Sequence, residues 1–168
     1  MKIIFLDIDG VLNSQLYHER TYDPNLEKDI SRFDYKCRDI DDKAVSFLND
    51  LIKDTGAKVV VSSSWRRSET IESLTKILQA RGFTGEIVGF TPRLGKNTVR
   101  GNEIHKWIED NDKLLGVYYY QFKEYVILDD DSDMLLWQKD NFIKTDGYVG
   151  LTPTNVHKAT YILNGRYN

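Results

Sequence analysis

The chain has 168 residues, of which 40% are hydrophobic and 29% are charged, and this composition suits one soluble domain with a core of its own. Its formal net charge of −3 argues against a broad, nonspecific nucleic-acid surface, although a local basic groove is compatible with it. A single cysteine, Cys37, excludes an internal disulfide and favours a reducing, cytoplasmic location, and no apolar stretch is long enough for a signal peptide or a membrane span.

Apolar strands and amphipathic helices alternate along the sequence. In chain order, the pattern predicts a strand at 3–6, a helix at 41–55, a strand at 58–61, a helix from a Ser68 cap to Gly82, a strand at 86–90, a helix at 100–109, a strand at 125–128, a helix through Met134, Leu135 and Leu136, a strand at 142–145 and a helix at 153–163. Because the strands are apolar throughout, both faces of the sheet must be covered. We therefore expect an α/β fold, a Rossmann-like three-layer sandwich with a central parallel sheet.

Residues 14–40 interrupt this alternation. They are polar, mixed in charge and dotted with aromatic residues, which indicates an excursion over the mouth of a crevice rather than a second domain. We expect one domain over residues 1–168, with a short cap-like insertion at about 14–40. A basic and aromatic cluster within it can grip a nucleotide or belong to a solvated loop, and the loop is favoured; its members are Tyr17, His18, Arg20 and Tyr22.

Polar residues follow three of the predicted strands. They are Asp7 and Asp9 after the first strand, Ser62–Ser64 after the second, and Asp129–Asp131 after the fourth. Open parallel sheets bind their ligands at the carboxyl ends of the strands. We therefore expect the three clusters to meet in one crevice.

Up to four carboxylates would share that crevice, from Asp7, Asp9, Asp129 and Asp130. Each pair of like charges about 4 Å apart costs about 4 kcal/mol at an effective dielectric of about 20, and a hard divalent cation removes that cost. Oxygen ligands favour Mg²⁺, whereas zinc would need clustered cysteine or histidine. A calcium-binding EF-hand loop is excluded, because the glycine that it requires at its sixth position is missing after Asp7 and after Asp129.

The other polar residues near the strand ends suit a phosphate group. Ser62 and Ser63 can donate hydrogen bonds to phosphate oxygens, as can the amides of the helix start behind them. Arg66 and Arg100 can neutralise phosphate charge, and Lys96 competes with Arg100 for that role. An aspartate can also attack phosphorus and form an aspartyl-phosphate. Positioning and charge neutralisation then supply most of the rate.

Several polar and aromatic residues have plain structural roles open to them as well. One of Ser62–Ser64 can cap the following helix. Asp131 and Asp133 can cap the next one, and Asp133 can alternatively hydrogen-bond to the site. Packing in the core or at its rim, rather than base stacking, is expected for the three tryptophans, Trp65, Trp107 and Trp137.

Four segments of the chain together carry a family resemblance. DIDGVLN, SSSWR, RGNEIHKWI and YVILDDDSD resemble, in this order, the four motifs of the haloacid dehalogenase-like (HAD) phosphohydrolases. The resemblance covers nearly the whole chain. It looks closest to the HAD domain of Swiss Army Knife RNA-repair proteins, in which TGAKVVVSSSWR, RGNEI and a late GLT recur, and it is more distant to the phosphatase domain of polynucleotide kinase-phosphatases.

The resemblance implies a catalytic role for each matched residue. Asp7 would be the nucleophile, and Asp9 would protonate the leaving oxygen and then activate the hydrolytic water. Ser62 would hold the phosphoryl group with help from the Ser63 amide, and Arg100 would be the cation of the third motif. The acid at the position of Asp9 implies a phosphatase, because family members that transfer phosphoryl groups without it, such as the P-type ATPases, carry a non-acidic residue there.

The resemblance also implies a metal site. Mg²⁺ would be held by the Asp7 carboxylate, the Asp9 main-chain carbonyl and Asp130, while Asp129 supports these ligands. Gly10, beside the two first aspartates, is counted with the residues expected to contact substrate.

The expected function is a Mg²⁺-dependent phosphomonoester phosphatase acting through an aspartyl-phosphate on Asp7. Nucleotide or RNA/DNA end phosphates are the leading substrates, because the short insertion leaves the site open to bulky molecules and because of the likeness to RNA-repair domains. Competing hypotheses are a phosphatase of small metabolites or free nucleotides, a catalytically idle phosphate-binding or interaction module, and phosphoryl transfer to an alcohol. The expected partner is thus a phosphorylated small molecule or a nucleic-acid end, and no membrane.

Overall fold

A parallel sheet with the first strand in its middle forms the centre of the molecule. A computed structural model describes residues 1–23 and 30–165. Neighbouring strands run parallel in the order β3-β2-β1-β4-β5. The strands are Ile3–Leu6 (β1), Lys58–Val61 (β2), Ile87–Phe90 (β3), Tyr125–Asp129 (β4) and Phe142–Lys144 (β5). The predicted parallel sheet is confirmed, and it places the ends of β1, β2 and β4 next to one another.

Along the chain, helices separate consecutive strands except between β4 and β5, and one helix follows β5. Within the described residues they are Gln15–Thr21 (α1), Arg32–Arg38 (α2), Asp42–Thr55 (α3), Ile71–Ala80 (α4), Arg100–Asp110 (α5), Asp112–Leu115 (α6) and Pro153–Leu163 (α7). The third helix ends at Gly56, which takes the left-handed conformation at φ +68° that closes many helices.

Two apolar cores cover the two faces of the sheet, because alternate strand residues point to opposite sides. On one face, Phe5 and Ile127 lie in a cluster with Ile104 and Trp107 of α5, and the rings of Phe5 and Trp107 meet edge to face. On the other face, Leu6 lies in a cluster with residues of α3, α4 and α7, among them Leu48, Leu74 and Ala159. The predicted three-layer α/β fold is confirmed.

Two predicted helix features are wrong. The cap of α4 is Thr70, which exchanges hydrogen bonds with Ser73, whereas Ser68 ends the preceding 3₁₀ turn. The helix predicted through Met134, Leu135 and Leu136 is a 3₁₀ turn at Leu136–Gln138. The side chain of Gln138 donates to the Gly101 carbonyl and accepts from the Leu135 amide, so side-chain bonds hold this segment where helical bonds were expected.

The helices α1 and α2 lie in the segment at 14–40, whose residues 24–29 are outside the described part of the chain. The basic and aromatic cluster predicted for a solvated loop lies instead on α1 and at its C-terminal cap, Tyr22. Tyr17 of the predicted basic and aromatic cluster donates to the Arg38 carbonyl at 2.9 Å, and His18 Nε2 lies 3.5 Å from Asp39 Oδ1. These contacts connect α1 to the end of α2. Searching the described residues for a helix both long and apolar enough to cross a bilayer gives none.

The three tryptophans differ in environment. Trp65 and Trp107 are buried, at 4% and 5% exposure, which confirms the packing predicted for them. Trp137 is 63% exposed and its ring contacts His105 at the surface, so of the predicted core or rim packing this residue shows only packing at the rim.

Candidate active site at the carboxyl ends of the strands

Two buried aspartates lie side by side where β1 and β4 end. Asp7 directly follows β1, and its amide donates to the Leu128 carbonyl of β4 at 2.9 Å. Asp129 is the last residue of β4. The sheet therefore fixes both carboxylates at one edge, where Asp7 is 8% and Asp129 1% exposed.

Asp130 completes a group of three carboxylates. One oxygen each from Asp7, Asp129 and Asp130 lie within 4.8 Å of one another. Two glycines make room for Asp130: a Cβ at Gly10, which also has φ +72°, would overlap the Asp130 carboxyl group, and a Cβ at Gly147 would lie 2.6 Å from its Oδ2. This close approach requires glycine at both positions.

Burial raises the pKa values of the three carboxyl groups. Burial raises the pKa of Asp7 to about 6, against the hydrogen bonds from Ser63 and the Ile8 backbone and the attraction of Arg100, which act in the lowering direction. Burial and then repulsion by Asp7 raise the pKa of Asp129 to about 7. Burial also raises the pKa of Asp130. Like charges without a counter-ion are thus unfavourable here.

The carboxylate of Asp9 lies outside this group and is held by side-chain donors. Trp65 Nε1 and Asn13 Nδ2 donate to its Oδ1 at 2.9 and 3.0 Å, and Ser64 Oγ donates to its Oδ2 at 3.2 Å. The Trp65 ring also lies under Lys36 of α2, whose Nζ is 3.7 Å from the ring centroid. Asp9 is therefore held by Asn13 in the loop after β1 and by Ser64 and Trp65 in the turn after β2. Trp65 in turn contacts Lys36 of α2.

The three serines after β2 differ in exposure. Ser62 and Ser63 are buried, at 1% and 0%, while Ser64 is exposed. The amide of Ser62 donates to the Leu6 carbonyl at 2.8 Å, which ties this strand end to the end of β1. Ser63 Oγ accepts from the Trp65 amide at 3.4 Å, so it is the serine that caps the 3₁₀ turn.

Two arginines share one buried carboxylate, that of Glu103. Arg66 Nη2 contacts Glu103 Oε2, and Arg100 Nη1 donates to the same oxygen at 3.3 Å. Arg66 also donates to the Ser63 carbonyl. Arg100 Nε lies 3.8 Å from Asp129 Oδ2, which places this guanidinium at the edge of the acidic group. Glu103 therefore holds both cations beside the strand ends.

Asp133 fixes the start of the helix that carries Arg100. Its Oδ2 accepts from the Arg100 amide at 2.7 Å, and its carbonyl accepts from the Gly101 amide at 3.1 Å. Asp133 thus caps α5, the helix before it in the chain, rather than a helix after it. Lys96, the competitor of Arg100, is exposed in the segment before α5.

The structure thus brings together Asp7, Asp9, Ser62, Ser63, Asp129, Asp130 and Arg100, with Arg66 behind them. Gly10 is adjacent too, but its amide donates to Asn13 Oδ1 at 3.0 Å, and what it adds is space for Asp130.

Sequence reasoning missed Glu103 and Asn13. Asn13 lies within the first motif, yet only the turn of residues 8–13 brings it to Asp9. A signal for Glu103 was available: it stands on the apolar face of α5 next to Ile104 and a turn before Trp107, and a carboxylate in such a buried position needs a cation.

The acidic group fits a hard divalent cation. Its donors are all oxygens, Asp7 Oδ1 is buried without a hydrogen-bond partner among the described residues, and Gly10 and Gly147 leave space for Asp130 to approach. Two ionised carboxylates at such separations repel by about 3 kcal/mol at an effective dielectric of about 20. A cation bound between them makes the total electrostatic energy favourable.

Comparison with known proteins gives one finding. A search of curated proteins and a search of solved structures each returned no match. A family model described as the HAD domain in Swiss Army Knife RNA repair proteins matches residues 3–156, and the chain therefore belongs to this family.

Proposed function

We propose that the chain is a Mg²⁺-dependent phosphomonoester phosphatase that works through an aspartyl-phosphate on Asp7. The observation that carries this proposal is the group formed by Asp7, Asp129 and Asp130, with ligand atoms within 4.8 Å and a buried Asp7 oxygen that has no hydrogen-bond partner among the described residues. Membership of the HAD family supports phosphatase-type chemistry.

In the first half-reaction, a carboxylate oxygen of Asp7 attacks the phosphorus of the ester. The bond from phosphorus to Asp7 forms while the bond from phosphorus to the leaving oxygen breaks. Asp9 donates its proton to the leaving oxygen, which departs as an alcohol. The donors from Trp65 and Asn13 hold the Asp9 carboxyl in place for this transfer.

In the second half-reaction, water attacks the phosphorus of the aspartyl-phosphate. Asp9, now ionised, takes a proton from that water, and the bond between phosphorus and Asp7 breaks. Inorganic phosphate leaves, the Asp7 carboxylate is restored, and Asp9 is protonated again. The two halves use the same pair of acids, so no further base is needed.

The side chains around Asp7 bind and orient the phosphoryl group. Ser62 and the Ser63 amide are the proposed donors to its oxygens, and Arg100 adds positive charge. Asp7, Asp130 and the Asp9 main-chain carbonyl are the proposed Mg²⁺ ligands, supported by Asp129. When bound, Mg²⁺ neutralises the carboxylates and the phosphoryl oxygens and so favours attack of one anion on another.

Nucleotide or RNA/DNA end phosphates are the proposed substrates. The description of the matched family, a domain of RNA repair proteins, supports this choice. Asp9 is exposed and would face the leaving group, which suits a bulky alcohol. A phosphatase of small metabolites or free nucleotides uses the same chemistry and is decided by assay.

The test is release of inorganic phosphate by the purified chain with MgCl₂. The substrates are an aryl phosphate, mononucleotides, sugar phosphates, and oligonucleotides with 3′- or 5′-phosphate. We expect turnover of the aryl phosphate and preference for nucleotide substrates, and loss of both in Asp7→Asn and in EDTA. Absence of turnover on every substrate, or an Asp7→Asn variant that keeps most activity, would overturn the proposed function.

A further inference from the structure

A cavity rich in cations adjoins the candidate active site. We call it the basic cavity; its volume is about 600 Å³, and its charged lining residues are Arg66, Arg67, Arg93, Lys96, Arg100, Glu103 and Asp133. Five cations thus face two carboxylates, in a chain whose formal net charge is −3. Positive charge concentrated in a concave site raises the local concentration of anions.

The cations of the basic cavity fall into two groups. Arg66 and Arg100 are paired with Glu103. Arg67, Arg93 and Lys96 are exposed, and among the described residues none of them has an ion pair with a carboxylate. Their charge is therefore open to a ligand. Nε of Arg66, whose side chain is 6% exposed, is a buried donor without a hydrogen-bond partner in the described part of the chain.

The basic cavity and the acidic group share a wall. Arg100 lines the cavity while its Nε lies 3.8 Å from Asp129 Oδ2. Arg66 lines it too and donates to the carbonyl of Ser63, in the turn that follows β2. One molecule can therefore reach both regions at once.

We propose that the basic cavity is a subsite for a second phosphate of the substrate, bound by Arg67, Arg93 and Lys96, so that phosphomonoesters with a further phosphate are preferred. The inference rests on the proposed function, because it assigns the first phosphate to Asp7. A cavity of about 600 Å³ has room for a sugar together with its phosphate, not for a lone ion only.

The lining chemistry selects phosphate. Arginine presents a planar fork of donors that matches phosphate oxygens, and lysine adds a point charge. Two sources share this chemistry: the second phosphate of a nucleoside bisphosphate, and the phosphodiester next to a terminal phosphate in an oligonucleotide. The test separates them.

The experiment compares probes that differ in the second phosphate. Adenosine 3′-monophosphate and 5′-monophosphate carry one phosphate, adenosine 3′,5′-bisphosphate carries a second monoester, and diadenylate with a 3′-phosphate carries a diester. We expect kcat/KM to be about 10-fold higher or more for at least one two-phosphate probe, as a charge-assisted contact implies. A gain with the bisphosphate alone indicates a small molecule, and a gain with diadenylate indicates a nucleic-acid end.

The preference is the ratio of kcat/KM for a two-phosphate probe to kcat/KM for a one-phosphate probe, measured with the same protein. We expect the variant Arg67→Ala/Arg93→Ala to lose most of it. The matched control, Lys53→Ala/Lys158→Ala, removes the same charge from exposed positions on α3 and α7 and should keep it. The proposed subsite is wrong if this ratio is near one in the native protein, or if the double arginine variant keeps the native ratio.

An aryl phosphate, which carries a single phosphate, distinguishes failure of the proposed subsite from failure of the proposed phosphatase function. If neither it nor any probe is hydrolysed, the proposed function is wrong, and calorimetric binding of the same adenosine probes to the native and double-variant proteins decides the subsite. Tighter binding of the bisphosphate that is lost in Arg67→Ala/Arg93→Ala supports it, and equal affinity for one and two phosphates contradicts it.

Discussion

The acidic group and the basic cavity meet at Arg100 but are built in opposite ways. Asp7 and Asp129 stand at the ends of adjacent strands, where backbone hydrogen bonds fix them and where they are buried. Three cations of the cavity are exposed, and Arg93 and Lys96 lie in residues 91–99, which carry neither helix nor strand. Two buried carboxylates of the candidate metal site thus lie at strand ends, whereas two of the proposed phosphate-binding cations lie in a loop, where sequence changes are tolerated more readily.

Substitution of Asp9 probes the acidic side of this comparison most strongly. Asp9→Asn keeps acceptor geometry for Trp65 but removes the proton donor, so we expect turnover to fall by about 10²- to 10⁴-fold, with a phosphorylated protein detectable by mass spectrometry. Asp131→Asn removes an exposed negative charge beside the group and should stay within a few-fold of native. Equal losses in the two variants would contradict the role of Asp9.

The boundary between the two regions depends on Glu103. Glu103→Gln leaves Arg66 and Arg100 without their shared carboxylate, and breaking a buried ion pair typically costs about 3 to 5 kcal/mol. We expect the free energy of unfolding in urea to fall by about 3 kcal/mol, because Arg100 keeps Asp129 as a partner. Glu109→Gln, an exposed change on the same helix, should cost about 1 kcal/mol or less, and similar costs for both would show that the shared carboxylate is unimportant.

The acidic group without a cation should be sensitive to pH. The pKa values of Asp7 and Asp129 rise from 3.8 when unfolded to about 6 and about 7 when folded, so between these values the folded chain binds more protons. The free energy of unfolding in EDTA should therefore receive a contribution that falls as pH rises from about 4 to 7, by on the order of 3 kcal/mol.

Saturating MgCl₂ should recover this loss, so the stabilisation by Mg²⁺ should be larger at pH 7.5 than at pH 5. Urea unfolding at both pH values measures it. Asp129→Asn removes the group with the higher pKa and should flatten the profile in EDTA; a variant with the native slope would contradict the assignment.

The smallest expected effect comes from replacing glycine by alanine at two positions with positive φ. Comparing them separates a steric clash with Asp130 from the strain of the backbone conformation. Gly10→Ala and Gly56→Ala both place a side chain at positive φ, +72° and +68°, which costs about 1 to 2 kcal/mol each. The new Cβ meets Asp130 at Gly10, whereas at Gly56 no atom of the described residues lies within 4 Å of it. We expect Mg²⁺ to raise the Tm of Gly56→Ala as it does that of the native chain, and less for Gly10→Ala. Equal Mg²⁺ responses would place the cation away from Asp130.

The sheet and the convergence of its strand ends could be predicted from the sequence. Apolar runs such as residues 3–6 and 125–128 are legible as buried strands, and parallel strands bring their carboxyl ends to one edge. That rule places Asp7 and Asp129 at the same edge of the sheet, and the pairing of β1 with β4, which the rule does not supply, makes them neighbours.

The pairing of Glu103 with Arg66 and Arg100, and the basic cavity beside it, could not be predicted in the same way. Which residue pairs with Arg66 depends on where α5 begins relative to the turn after β2, and Asp133, more than 30 residues beyond Arg100, sets that start. The apolar Leu135 and Leu136 predict a helix where the structure has a turn at Leu136–Gln138. Leu136 is 79% exposed, and Gln138 makes one local bond to Leu135 and one long-range bond to Gly101. Long-range side-chain bonds override local propensity there.

The indole of Trp65 connects α2 to Asp9, the residue proposed to transfer protons. One edge of the ring donates to Asp9, and one face carries the ammonium of Lys36. A displacement of α2 would tilt the ring and with it the acid, although no atom of that helix need touch a substrate. Changes in residues 32–38 should therefore alter both proton transfers proposed for Asp9, and the fluorescence of the Trp65 indole can report the altered environment of the ring.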